Sequence, residues 1–504
     1  MTHFARRAPR PHVRRTRGVL LAAASVVAAA TSFLAGVAPA QAAPTSPVSL
    51  PAYVKAVHTC AASTPHRASC YAMKLVPSTK GAVGARPSAS RGGTVPAALT
   101  GPAGGYTPAA LATAYGVTPS TATTLTVGII DAYNDPNVRA DLSKFDAKYG
   151  LPVETSTSLR VVNQRGATTP LPAADAGWAG EISLDVDAVR GLCNKCKIIL
   201  VETDSNSFTD LATGVNEAVA LGAKIVSNSY GGAESGTPPT AISSAYKHSG
   251  VVITASTGDD GFFDWDNVNN GGGSSEAPAI PAAFSSVVAV AGTTLNLNDD
   301  GTRANESVWN SNGPFDVYGN NNANLGASGG GCSTLFSAPS WQKAVANYAV
   351  TGCGTKRMVA DVAALADPFT GYDVYDSYQT PTPWGTYGGT SLAAPLVAAI
   401  WALAGGAAGV ASPAQTLYAN AKTSSKVYDV KVGGNGACGG ASTTSCASFF
   451  GGSPNALGSG TLDCAWKKDS ATLATTNGAC NAKVGYDGSS GVGSPTGIGT
   501  FKKV

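Results

Sequence analysis

Gly388-Gly389-Thr390-Ser391-Leu392-Ala393-Ala394-Pro395 reads as a glycine turn, a serine and the start of an apolar helical run from Leu392 to Ala402. That pattern places the Ser391 hydroxyl at a helix N-terminus, where unpaired N–H groups and the helix dipole favour developing negative charge. Ser391 is therefore a candidate nucleophile, and a serine hydroxyl needs a neighbouring base to take its proton. Histidine is the usual base. Of the five histidines, His3 and His12 lie in a targeting segment and His58 and His66 in an expected pro-segment. Only His248 remains, so another residue type is expected to activate Ser391.

Working outward, apolar runs of strand length alternate with helical stretches. Thr126–Asp131, Ile198–Glu202, Lys224–Ser229, Val251–Ser256 and Ser286–Ala291 read as buried strands. Glu181–Arg190, Phe208–Leu221, Ala241–His248 and Thr390–Leu403 read as helices, and Thr107-Pro108-Ala109-Ala110-Leu111 opens a short one. The alternation predicts an α/β fold: a central parallel sheet flanked by helices on both faces. The spacing fits a single catalytic domain over 105–504, whose residues 429–500 are elaborated C-terminal loops.

The ends of the chain have other tasks. Residues 1–18 carry six arginines and no acid, Val19 to about Val37 is apolar, and Ala38-Pro39-Ala40-Gln41-Ala42 follows. This is a secretory signal peptide, expected over 1–43, so the chain is expected to be secreted and free of membrane once the signal is cut. Residues 44–104 are rich in Ala, Pro, Ser and Gly and read as a short, linker-like pro-segment stapled by Cys60 and Cys70. Residues 1–104 hold 12 of the 34 Lys and Arg and none of the 31 Asp and Glu, leaving 22 basic against 31 acidic residues, a net of −9. The expected mature part is therefore acidic, lacks the basic stripe of a nucleic-acid binder, and would attract the pro-segment, itself +6. Ten cysteines in an exported chain predict disulfides. Nearest-neighbour pairing gives Cys60/Cys70, Cys193/Cys196, Cys332/Cys353, Cys438/Cys446 and Cys464/Cys480.

Two sites offer acids in place of histidine. Glu181 and Asp185, at i and i+4, share one face of a helix whose neighbours Trp178, Ile182, Leu184, Val186 and Val189 are apolar. Two acids close together in a dry site cannot both ionise easily, so such a pair holds one proton and can act as a base at acid pH. A solvated acidic face is the bland alternative. Thr257-Gly258-Asp259-Asp260-Gly261 follows the strand Val251–Ser256, at the carboxyl end where sites form in parallel sheets. A protonated acid there can donate to an oxyanion; an ordinary turn is the alternative.

These blocks together resemble the sedolisins, the serine-carboxyl peptidases with a subtilisin-like fold. Glu181-Ile182-Ser183-Leu184-Asp185 resembles their catalytic helix. Ser227-Asn228-Ser229-Tyr230-Gly231 with Glu234 resembles their substrate-side strand, and Gly258-Asp259-Asp260-Gly261 their oxyanion loop. Ser328-Gly329-Gly330-Gly331-Cys332-Ser333 with Pro339-Ser340-Trp341-Gln342 resembles a further block, as does Asp361-Val362-Ala363-Ala364-Leu365-Ala366-Asp367-Pro368 with Gly371-Tyr372. Gly389-Thr390-Ser391 with Pro395 resembles the nucleophile motif, with Gly388 in place of its first serine.

The resemblance implies Ser391 as nucleophile, Glu181 as general base, Asp185 as its proton-sharing partner, and Asp259 as the protonated oxyanion stabiliser. It also implies an acid-acting endopeptidase on polypeptide substrates, working as a monomer. Asp131, ending Val127-Gly128-Ile129-Ile130, extends the carboxylate network in this reading. The resemblance further implies calcium, held by Asp429, Val430, Lys483, Gly485 and Asp487, with Lys483 where the family has glycine. A disulfide-stapled loop without metal is the alternative there. Two other functions compete: a subtilisin-type Ser-His-Asp peptidase using Asp131, His248 and Ser391, and a non-catalytic binding protein that keeps the fold.

Overall fold

A computed structural model describes residues 54–77, 98–123, 125–234, 236, 238–263, 277–311, 326–423, 425–436, 464 and 478–503. These belong to one unit spanning 47–504. The expected signal peptide and the Cys438/Cys446 pair lie outside the described residues.

The central sheet has eight strands. Its path runs Arg303–Val308, Val288–Leu297, Val252–Ser256, Ile225–Asn228, Thr126–Ala132, Lys197–Thr203, Leu159–Asn163, with Val362–Leu365 also on Val288–Leu297. All neighbours are parallel except Arg303–Val308, which closes one edge as an antiparallel hairpin partner. The sheet reads apolar because both faces are covered: Val127, Ile129 and Ile130 are all buried, as are Ile225, Val226, Val288 and Val290. The helices Ala176–Leu192 and Thr390–Leu403 pack together in the larger core; Phe208–Ala220 and Thr240–Ala245 sit in the second.

The expected strands and helices are present with ends moved by a few residues. The Glu181 helix starts earlier, at Ala176, because Asp175 caps it: its carboxylate accepts the N–H groups of Gly177 and Trp178 at 2.9 and 3.0 Å. Four of the expected disulfides are formed, Cys60–Cys70, Cys193–Cys196, Cys332–Cys353 and Cys464–Cys480.

The main departure from the sequence reading lies at 54–77. A linker-like composition predicts no regular structure there, yet Val54–His58, Ser69–Cys70 and Met73–Pro77 are strands. Ala68, Cys70, Ala72 and Met73 are fully buried. Small side chains that look like linker residues here fill a narrow channel between two strands of the larger body: Tyr230–Ala233 on one side and Trp384–Gly388 on the other.

Candidate active site

The site lies at the carboxyl ends of the parallel strands, where loops leave the sheet. Ser391 is the second residue of the helix Thr390–Leu403, and the turn before it needs Gly389, whose φ is 91°. Gly388 departs from the resembled serine for a steric reason. A Cβ there would stand 2.4 Å from the Ala366 carbonyl and 2.5 Å from the Pro368 nitrogen.

Glu181 and Asp185 sit one turn apart on their helix, both 0% exposed. Ser391 Oγ donates to Glu181 Oε2 at 2.8 Å, and the Ser229 carbonyl lies 3.0 Å from the same hydroxyl. Glu181 Oε1 and Asp185 Oδ2 are each buried without a hydrogen-bond partner, and two such carboxyls one helical turn apart cannot both ionise easily. Burial raises both well above the ordinary carboxylate range, and Asp185 and Asp131 raise Glu181 further.

Asp259 completes the arrangement. Its Oδ1 accepts both the Thr390 N–H at 2.7 Å and the Thr390 hydroxyl at 2.8 Å. Its Oδ2 is buried without a partner. Burial raises its carboxyl well above the usual range, which favours the protonated acid, and Oδ2 is the oxygen with room for the proton.

The cleft is filled by the chain itself. Tyr71 N–H donates to the Ser229 carbonyl at 3.2 Å and to Ser391 Oγ at 3.1 Å. Ala72 N–H donates to Glu181 Oε2 at 2.8 Å. A Cβ on Gly389 would lie 1.8 Å from the Tyr71 carbonyl oxygen and 2.6 Å from Asp259 Oδ2, so both oxygens converge on this bare Cα. The Tyr71–Ala72 peptide bond thus has its nitrogen at Glu181 and its carbonyl oxygen on the Asp259 side of Ser391.

The structure brings Glu181, Asp185, Asp259 and Ser391 together, as the spacing and the resemblance imply. His248 is elsewhere: its Nε2 bonds Asn216 Oδ1 at 3.0 Å. Sequence reasoning gave no part to Ser229, whose hydroxyl bonds Asp185 Oδ1 at 2.8 Å; its place inside a resembled block was the available signal. It also missed Asp135 and Glu202. Asp131 and Glu202 stand side by side in register on adjacent parallel strands, and Asp135 N–H bonds Glu202 Oε1 at 3.0 Å. Burial pushes Asp131 and Glu202 up to about 8 and Asp135 up to about 7. Other resembled blocks serve as scaffolding: Asp361 is paired with Arg357 and bonded by Tyr418 and the Ala289 N–H.

Residues 174–454 match the model of the subtilase family. The chain belongs to that family, in its sedolisin branch. It is 29% identical over 327 residues to sedolisin of Pseudomonas sp. (strain 101), covering 63% of this chain and 53% of that protein. It is 32% identical over 270 residues to kumamolisin of Bacillus sp. (strain MN-32), covering 51% and 45%, and 30% identical over 351 residues to xanthomonalisin of Xanthomonas sp. (strain T-22), covering 62% and 40%. The chain therefore spans about half the length of the curated relatives it matches. Among solved structures it is similar to Pseudomonas sedolisin, a serine-carboxyl proteinase complexed with two molecules of pseudo-iodotyrostatin. The TM-score is 0.58 and the identity 26%, covering 79% of this chain and 96% of that one. The subtilisin-like fold expected from the resemblance is the fold of this sedolisin-branch chain.

Of the five residues that the sedolisin resemblance assigns to calcium, two pairs are in contact. Gly485 N–H bonds both oxygens of Asp429 at 3.0 Å, and Lys483 N–H bonds Asp487 Oδ2 at 2.8 Å. Asp487 is buried, and burial pushes it up to about 7. The carboxylates and the carbonyls of Val430, Lys483 and Gly485 are of the donor type calcium takes, while Asp487 Oδ1 already accepts from the N–H and hydroxyl groups of Ser489 and Ser490. Among the described residues no three acidic, His or Cys side chains gather as a metal cluster, so a cation here would lean on carbonyls.

Proposed function

We propose that this chain is a secreted serine-carboxyl endopeptidase that cleaves polypeptides at acid pH, made as a zymogen with residues 44–104 as its pro-segment. One observation carries the reading: Glu181 Oε2 holds both the Ser391 hydroxyl and the Ala72 N–H at 2.8 Å. A single carboxylate oxygen between nucleophile and leaving nitrogen can take the proton from the first and return it to the second. Ser391 Oγ adds to the carbonyl carbon as its proton passes to Glu181. The oxyanion develops beside Asp259 Oδ2, whose O–H donates to it. Glu181 then protonates the departing nitrogen, leaving an ester on Ser391 for water to hydrolyse along the same proton route. Asp185 shares Glu181's second proton site, and Ser229 fixes Asp185. Acid pH follows because Asp259 must stay protonated to donate.

The secreted chain should hydrolyse casein at pH 4 after acid incubation. Ser391→Ala should remove that activity, and His248→Ala should retain more than half of it. Loss of activity in His248→Ala alone would restore a histidine triad; no hydrolysis by the parent at any pH would favour a non-catalytic binding protein.

Calcium, on this reading, ties the C-terminal loops together through Asp429, Val430, Lys483, Gly485 and Asp487 and takes no part in the chemistry. A chelator should then lower the melting midpoint by several degrees, since a ligand of the native state stabilises by mass action. An unchanged midpoint with and without added calcium would remove the metal.

A further inference from the structure

The peptide lying across Ser391 is tied down on both sides of one bond. On the acyl side, Cys70 and Ser69 pair antiparallel with Tyr230 and Gly231. Ala68 N–H bonds the Asn206 carbonyl at 2.9 Å, and Asn206 Nδ2 returns a bond to the Ala68 carbonyl at 2.7 Å. On the leaving side, Met73 and Lys74 pair with Gly388 and Tyr387. The strand Val54–His58 flanks that side as the other antiparallel neighbour of Met73–Pro77, in register from Val54–Pro77 to His58–Met73. The next residue, Thr59, donates its N–H to the Ala72 carbonyl at 3.0 Å. The residue after that, Cys60, is bonded to Cys70. One disulfide therefore joins the clamp on the leaving side to the acyl side, immediately next to the Tyr71–Ala72 bond.

We propose that Val54–Pro77 is an inhibitor of this chain's own centre, and that the Cys60–Cys70 bridge is what makes it an inhibitor and not a substrate. The proposal rests on the peptidase reading above. Ser391 Oγ forms a bond to the Tyr71 carbonyl carbon, giving its proton to Glu181. The Tyr71–Ala72 carbon–nitrogen bond breaks, and Glu181 returns the proton to the Ala72 nitrogen as it leaves as an amine. In an ordinary substrate that amine diffuses away and water takes its place. Here Ala72 stays under Thr59, and Thr59 cannot drift from the acyl side because Cys60 is covalently bound to Cys70. The amine remains in place to attack the Ser391 ester, with its proton passing through Glu181 back to the serine oxygen. An amine held at high effective concentration outcompetes water, so the peptide bond reforms. Without the bridge, residues 61–69 lose the cross-link that limits their freedom, and the two sides of the cut can separate.

The test uses the full chain in two backgrounds. In Ser391→Ala, amide exchange of Tyr71 and Ala72 reads the seating of the strand without any chemistry. Adding Cys60→Ser and Cys70→Ser should speed that exchange at least tenfold. In the active chain at pH 4, the bridged form should keep Tyr71–Ala72 intact over a period in which the unbridged form is cut there. The unbridged form should then hydrolyse casein at least ten times faster. Thr59→Pro keeps the bridge and removes the N–H on the Ala72 carbonyl; it should move exchange the same way, by at least threefold, and guards against misfolding of the double variant. Exchange unchanged within twofold in both variants, or equal cutting of bridged and unbridged chains, overturns the proposal. Failure of the peptidase reading looks different: no cutting and no casein hydrolysis in either chain, whatever the exchange shows.

Discussion

Glu181→Gln is expected to lower kcat on casein at pH 4 by about 10²–10⁴-fold, the range a positioned general base supplies. The glutamine has the same shape, so the helix and the Ser391 contact survive. What is lost is the ability to accept the serine proton and pass it on. The Glu181 oxygen that meets Ser391 also meets the Ala72 N–H, so one substitution removes both transfers. The effect should fall on kcat and leave KM within a few-fold, because the strands Tyr230–Ala233 and Trp384–Gly388 that grip the peptide are untouched. Asp185→Asn should be milder. It removes the shared proton but leaves the base, and should move the acid limb of the pH profile in addition to the rate. Initial rates across pH 3–6 on activated enzyme, with melting midpoints for each variant, check this. A Glu181→Gln enzyme within tenfold of the parent would mean that Ser391 is activated by something else.

Between pH 4 and pH 8 the folded chain is expected to lose stability, with a melting midpoint at pH 7.5 at least about 10 °C below that at pH 4. The reason is a cluster of acids buried without counter-charges. Both oxygens of Asp131 and one of Glu202 have no hydrogen-bond partner, and burial pushes these two up to about 8 and Asp135 up to about 7. The folded chain keeps these protons after the unfolded chain has released its own near pH 4. Unfolding therefore releases protons throughout that window, and raising the pH favours it. Moving one carboxyl from its ordinary value to about 7 is worth as much as about 4 kcal/mol at ~1.4 kcal/mol per unit, and each kcal/mol shifts the midpoint of a chain this size by roughly 1 °C, so the three acids act together. Calorimetry on Ser391→Ala, which cannot digest itself, gives the profile. Asp131→Asn and Glu202→Gln should flatten it. A midpoint that is level or rising from pH 4 to 7.5 would mean these acids are ionised in the native state at little cost.

Much of the site was legible because its chemistry is written in local spacing. Glu181 and Asp185 are one helical turn apart, and Ser391 follows its own glycine turn, so helix geometry alone sets each in place. Asp259 was legible from its place in the turn just past a buried strand, three residues after Ser256. The acids Asp135 and Glu202 were not, because their proximity comes from the register of strands far apart in sequence. The short strand Leu159–Asn163 and the antiparallel edge Arg303–Val308 escaped for a related reason: exposed and polar residues interrupt them, and pairing holds them in the sheet. The least legible part was Ser69–Pro77. Its Ser, Ala and Met residues read as linker because they are small or flexible. They are buried because a channel between two other strands admits only a narrow peptide, which no local pattern records.

Pro395 lies inside the Ser391 helix and has no N–H, so the carbonyl four residues earlier, that of Ser391 itself, is left without its helical partner. The Ser229 hydroxyl reaches that carbonyl at 3.2 Å and also contacts Asp185 at 2.8 Å. A hydroxyl has one hydrogen to give. It goes to the shorter contact, the Asp185 oxygen, and the Ser391 carbonyl is left with the longer one. An imino acid in the nucleophile's helix thereby clears the place from which the Ser229 hydroxyl orients Asp185.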